Sequence, residues 1–231
     1  SGVPVADMIL QRMGPSIALC VSTIIVSVLL AVPLGILAAW RQGKLVDRMV
    51  MAGSVLGFSV PVFVTGYVLI LLFSIDLRWF PVQGYKPLSG GLWPFLKSIT
   101  LPTLALSTVY VALIARITRS SIVEVMGEDF IRTARSKGLR EHAVLFGHAL
   151  RNAAVPIVTI IGVGIAMLIS GVVVTESVFN LPGLGRLVVE AVLARDYPVI
   201  QGLIIVFAFI YVFINLIVDV LYTVFDPRIR Y

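Results

Sequence analysis

Few side chains in this 231-residue sequence could do covalent chemistry. The one cysteine, Cys20, can form no intramolecular disulfide and belongs to no metal-ligand spacing. It lies in an apolar run and reads as a small core residue. His142 and His148 stand six apart in a polar segment and read as helix-surface residues, not ligands. Ser59 sits in Gly57-Phe58-Ser59-Val60-Pro61, which is not a nucleophile elbow. No histidine lies in an apolar run to act as its base. There is no GxxxxGK[ST] loop, so ATP is not bound here by that route. The sequence therefore predicts no catalytic residue, no metal and no cofactor of its own. Glu176 and Asp219 stand near the ends of apolar runs. An ion-coupled carrier usually places such groups at the membrane midplane. Asp219 is expected to pair with a nearby basic side chain at the interface.

Residues 119–152 carry the strongest pattern. Phe130, Ile131 and Ala134 recur at helical spacing, and Leu139, Ala143, Val144, Phe146 and Leu150 resume it after Gly138. Glu128 and Asp129 stand where a helix dipole favours anions, and Arg135 and Lys137 where it favours cations. The segment reads as two short amphipathic helices joined at Gly138, a left-handed breaker. An exposed apolar stripe of this kind docks on a partner protein or lies flat on lipid. Spacing does not separate the two. A second segment has Leu181-Pro182-Gly183-Leu184-Gly185 as a tight turn. Arg186–Arg195 follows as an amphipathic helix with Leu187, Val188, Ala191 and Val192 on its apolar side. It is expected to fold over a mouth of the bundle and to gate or to touch a partner. A surface cap is the alternative.

These segments must be held by something apolar. Mean hydropathy is +1.04 and only 13% of residues are charged, about half of what a soluble domain carries. The excess apolar surface must face lipid. Five stretches can cross a hydrocarbon core as helices: about 16–40, 50–74, 99–117, 153–178 and 200–225. The net charge of +6 fits positive loops on the cytoplasmic side better than nucleic-acid binding. Twelve basic residues flank the spans on one side (Arg41, Lys44 and Arg48; Arg116 and six in the central segment; Arg228 and Arg230) and five on the other. The C-terminus is then cytoplasmic. Residue 1 falls outside, which predicts a sixth span upstream. Pro33, Pro61, Pro102 and Pro156 lie in or at the ends of spans. Gly53 with Gly57, and Gly162, Gly164, Ala166, Ser170 and Gly171, form small-residue faces suited to close helix packing or to a gate.

The string DFIRTARSKGL…HALRNAAVP resembles the cytoplasmic Glu-Ala-Ala loop of ABC importer permeases. Anchored on Gly138, Arg132, Thr133 and Ala134 take the Glu-Ala-Ala positions, and His148, Ala149, Leu150 and Arg151 those of Ile-x-Leu-Pro. Ala134, Gly138 and Leu150 fit the general pattern. The departures at Arg132, His148 and Arg151 are usual in the dipeptide/oligopeptide/nickel branch. PVFVTGYVLILLFS, residues 177–202 and the terminal DPRIRY also resemble that branch, as do Pro4–Arg12 with Pro15 and Leu19. The sequence is identified as a member of it, similar to the first of its two permease subunits.

The resemblance implies a polytopic all-α bundle, the type I ABC importer permease fold. It implies one transmembrane domain over residues 1–231, a coupling loop at about 119–152 and an outer loop at about 179–199. It implies a multi-pass subunit of the bacterial inner membrane, not itself an enzyme. The implied partners are a second permease subunit, two ATPase subunits that bind ATP, an extracytoplasmic solute-binding protein, and lipid. ATP-driven alternating access would move di- or oligopeptides; nickel, glutathione or another small solute is the alternative. Outside the class stand an ion-coupled carrier, which needs no docking helix, and an intramembrane enzyme. Arg132, Ala134, Lys137, Gly138 and Leu139 would couple to an ATPase, and Pro182, Gly183 and Gly185 would shape an outer gate.

Overall fold

The computed structural model describes residues 4–225. The tail with Arg228 and Arg230, and the side chain of Asp219, lie outside the described residues. All regular structure among the described residues is helical. The order is α1 Val5–Trp40, α2 Leu45–Ser59 and α3 Val62–Leu69, which runs on as a π-helical turn Ile70–Asp76. After a loop come α4 Leu92–Met126, α5 Asp129–Ser136 and α6 Glu141–Ala143. A π-helical turn, Val144–Ala149, joins α6 to α7 Leu150–Asn152. Then follow α8 Ala154–Val178, α9 Leu184–Leu193 and α10 Tyr197–Phe225.

Three of these helices, α1, α4 and α10, are each long and apolar enough to cross a membrane. Two bent pairs raise the number to five, the number of spans expected. The prolines do not act alike. The second span, placed at about 50–74 with Pro61 as a kinking residue within it, is two helices, because Pro61 has no N–H to give and disfavours helical backbone at Val60. Pro33 and Pro102 lie inside continuous helices. Pro156 falls in the first turn of α8, where its N–H would be unused. The chain bends by 57° where α7 meets α8.

Two compact units divide the chain. In the first (to Val26, Val60–Thr108 and Ile165–Ile214), Ser22 of α1 meets Thr103 of α4 at 2.7 Å. The apolar face of α9, Leu184, Leu187 and Ala191, packs with Ile9, Val199 and Leu203. Val192, expected on that face, is exposed, since it lies one residue beyond Ala191 and turns outward. In the second unit (Ser27–Ser59, Val109–Gly164 and from Asn215), Ile36, Ala39 and Ile122 pack with Ile131, Ala134, Val144, Leu145 and Ala149. Asp47 of α2, buried, accepts both arms of the Arg119 fork at 3.0 and 2.8 Å. It also accepts from the Gly43 N–H at 2.9 Å. Hydroxyls within the helices mostly bond back to their own backbone, as Thr159 to Val155 and Thr175 to Gly171.

The small-residue faces are only partly packing faces. A Cβ at Gly162 would meet the Val218 side chain at 2.5 Å, and one at Gly164 would meet Tyr110 at 3.4 Å. Around Gly53 nothing lies within 4 Å, so the expected Gly53 contact is absent among the described residues. The tightest unforeseen approach is at Gly35 of α1. A Cβ there would lie 2.6 Å from Thr118 Cβ and 2.8 Å from the Ala115 carbonyl oxygen of α4. Gly35→Ala is therefore expected to destabilise the purified protein by about 1–3 kcal/mol through overpacking. Gly53→Ala should cost nothing. Thermal melting of the two variants in detergent tests this contrast; equal midpoints would refute the close approach.

Candidate functional site

Two constellations could serve a function, one in each unit. In the second unit, α5 begins at Glu128, the N-cap, and ends in a Schellman turn. Gly138 N–H donates to the Arg135 carbonyl at 2.9 Å and Leu139 N–H to the Ala134 carbonyl at 3.4 Å. Gly138 has φ +79°, the left-handed conformation expected of it, and open space around its α-carbon. The demand here is on the backbone, not on room. Arg135 grips Glu141 with both arms, at 2.9 and 3.2 Å, and so straps α5 to α6 across the turn. Beside this strap, Ala39, Trp40, Val123 and Met126 line an open groove of about 620 Å³.

The apolar stripe of this segment is not uniformly exposed, as the spacing had suggested. Ile131, Ala134, Val144, Leu145 and Ala149 face inward onto α1 and α4. Phe130 and Leu139 are each 42% exposed and Phe146 57%. The segment thus has an anchoring face and a free face. Arg132, Lys137 and Leu139 are on exposed positions, whereas Ala134 is buried. Arg132 pairs with Asp129 at 3.2 Å, an exposed contact of small energetic value.

In the first unit, a fully buried carboxylate organises the turn before α9. One oxygen of Glu176 accepts from the Ser16 hydroxyl of α1, and the other accepts from the Arg186 N–H at 3.0 Å. Ser16 Oγ in turn accepts from the Leu184 N–H at 2.8 Å. The free N–H groups of the first turn of α9 are thereby met by an anion, the charge that end of a helix favours. Asn180 takes φ +53°, and Gly183 N–H bonds to the Leu181 carbonyl at 2.9 Å. The tight turn is therefore Asn180–Gly183. Leu184 and Gly185, expected in it, already belong to α9 because the carboxylate caps the helix there. A Cβ at Gly183 would collide with the Glu176 carboxyl group, and one at Gly185 would lie 2.6 Å from Val173 Cα. Pro182 is exposed beside them. Arg12 of α1 reaches Glu190 at 3.2 Å and Arg186 reaches it at 2.7 Å, fixing the far side of α9.

Sequence reasoning noted Glu176 but not its partners, and it missed the Asp47–Arg119 pair. A signal existed for Glu176: an acid in an apolar run close before a Pro-Gly-x-Gly turn must be satisfied by something. Asp47 lay hidden among the basic residues around it.

Over residues 31–231 the sequence matches the family of binding-protein-dependent transport system inner membrane components. It is 54% identical over 231 residues to a protein of Sinorhizobium fredii named as a probable peptide ABC transporter permease, covering 100% of this chain and 74% of that one. It is 43% identical over 228 residues to the glutathione transport system permease protein GsiC of Escherichia coli K12, covering 99% and 72%. The backbone is similar to that of the inward-facing MetNI methionine ABC transporter, with a TM-score of 0.78 at 14% identity over 98% of this chain and 100% of that one. It is also similar to an amino acid ABC transporter with histidines, with a TM-score of 0.65 at 17% identity over 97% and 95%. At such identities the structural likeness speaks for the fold alone, and that fold is the helical bundle of ABC transporter permeases. The chain belongs to the family of binding-protein-dependent transport system inner membrane components, as an ABC importer permease of the peptide branch.

Proposed function

We propose that this subunit forms half of the path of an ATP-driven importer that moves di- and oligopeptides by alternating access. The proposed complex has a second related permease, two ATPase subunits that alone hydrolyse ATP, and an extracytoplasmic binding protein. The whole chain acts as one permease domain of the inner membrane, with its C-terminus cytoplasmic. The two-faced α5–α7 segment carries the reading. One face is anchored in the bundle, and the other offers Phe130, Leu139 and Phe146 beside Arg132 and Lys137. An apolar anchor ringed by cations suits a groove on a soluble protein with an acidic rim. Ala134 and Gly138 serve by setting the backbone. The named relatives support a peptide solute; the glutathione permease favours, as a second reading, glutathione itself.

The outer loop is proposed as a gate. Its turn, with Pro182 and Gly183, and the start of α9 at Gly185 are locked to α8 through Glu176, so α9 must follow α8 when α8 moves.

Two experiments test these assignments. The chain is co-expressed with its neighbouring genes and recovered in detergent. Phe146→Asp and Leu139→Asp should release the ATPases, weakening their binding about tenfold or more, with the permease still folded. Ile131→Asp, a change in the anchored face, should unfold the protein instead. ATPases retained by both exposed-face variants, or a wild-type chain recovered alone, would overturn the docking assignment. For the gate, Gly185→Val should abolish uptake and speed hydrogen exchange in α9 while the ATPases still co-purify. Normal uptake would sink the gate. A complex that falls apart would reduce the loop to a structural cap.

A further inference from the structure

The end of α2 is left open. An α-helix leaves its last four carbonyls without an N–H partner of its own, and in α2 these are the carbonyls of Leu56 to Ser59. Pro61 has no N–H to offer. This turn falls within the segment that hydropathy assigns to the second span. Unpaired carbonyls at membrane depth persist only where they are buried in protein or line a water-filled cavity, and Phe58 and Ser59 at this end are exposed.

A groove of about 210 Å³ opens at this place, lined by Ser54, Phe58 and Ser59 of α2 and by Ala112, Leu113 and Arg116 of α4. Arg119, one turn further along α4, is neutralised by Asp47. Arg116 is exposed and carries no ion pair or hydrogen bond among the described residues. The carboxylates nearest in role are engaged elsewhere: Asp47 by Arg119, Asp129 by Arg132 and Glu141 by Arg135. The Ser59 hydroxyl is likewise exposed and unbonded. One groove thus combines a free guanidinium, a free hydroxyl, an aromatic edge and, at Phe58 and Ser59, the end of a helix whose last carbonyls lack intrahelical partners.

We propose that this groove is a contact site for a peptide in transit, with Arg116 receiving its C-terminal carboxylate. A guanidinium fork matches a carboxylate in two parallel hydrogen bonds. The open carbonyls of α2 accept from the N–H or ammonium groups of the same solute. Discontinuous helices with free backbone groups serve solutes in this way in membrane transporters. The assignment rests on the peptide reading of the function and adds to it the chemical group that the permease itself recognises.

The test uses the whole complex in liposomes, loaded with ATP and supplied with its binding protein. Uptake of a dipeptide is compared with uptake of the same dipeptide as its C-terminal amide. The preference of the binding protein itself, measured separately by titration, is divided out. The wild type should favour the free acid by about tenfold, the worth of one charged hydrogen-bonded contact. Arg116→Gln should lose that preference, bringing acid and amide within twofold, and Arg116→Lys should recover part of it. Equal loss for acid and amide, or an unchanged preference, overturns the assignment. An effect present only when the liposomes contain phosphatidylglycerol, and absent in phosphatidylcholine, assigns Arg116 to a lipid phosphate and also overturns it. A wild-type complex that takes up neither peptide refutes the peptide reading itself, and the carboxylate site with it.

Discussion

In hydrocarbon no polar group can borrow water, so every backbone amide and every charge has to find its partner within the protein. Most of this chain obeys that constraint simply. The long helices keep their amides within themselves, and hydroxyls bond to their own preceding turns. The exceptions locate the specific architecture. Asp47 can be buried in α2 only because Arg119 and the Gly43 N–H converge on it. Removing one partner of such a pair strands the other, at a cost of about 3–5 kcal/mol. The pair therefore fixes α2 against α4 more firmly than apolar contact could, since lipid is as good an apolar solvent as another helix.

Glu176 answers the same constraint from the opposite side. A helix that begins inside a protein leaves N–H groups unpaired, and α9 begins against α8. The carboxylate supplies acceptors for those groups, and Ser16 extends it to α1. The close approach is possible only because residues 183 and 185 lack side chains. Here the glycines are required by contact distance. At Gly138 the requirement is φ, with open space around it. The same residue type does two different jobs.

That division also explains what could be read in the sequence. The number of spans, the helical class and the break at Gly138 follow from hydropathy, period and backbone preference, which are local properties. The direction in which a helix faces is less local. Phe130, Ile131 and Ala134 make one stripe by spacing, yet Ile131 and Ala134 turn inward and Phe130 outward. Only the positions of α1 and α4 decide this. α4 runs unbroken through Pro102 while the second span breaks at Pro61, a difference that the proline alone does not encode. The side-chain partners of Asp47 and Glu176, Arg119 and Ser16, lie 72 and 160 residues away, and no local pattern encodes such pairs.

The anchored face of α5–α7 bears on how the proposed docking could do work. Val144, Leu145 and Ala149 share one cluster with Ile36 and Ala39 of α1 and Ile122 of α4. Interiors packed at crystal density transmit displacement and do not absorb it. The strap from Arg135 to Glu141 keeps the two halves of the segment from moving separately. A push on the exposed Phe146 therefore reaches α1 and α4 within the same unit, with no flexible hinge in between to dissipate it. A free loop would bind an ATPase equally well and convey nothing. What suits this segment to the proposed coupling is the half of its apolar surface that is packed into the bundle.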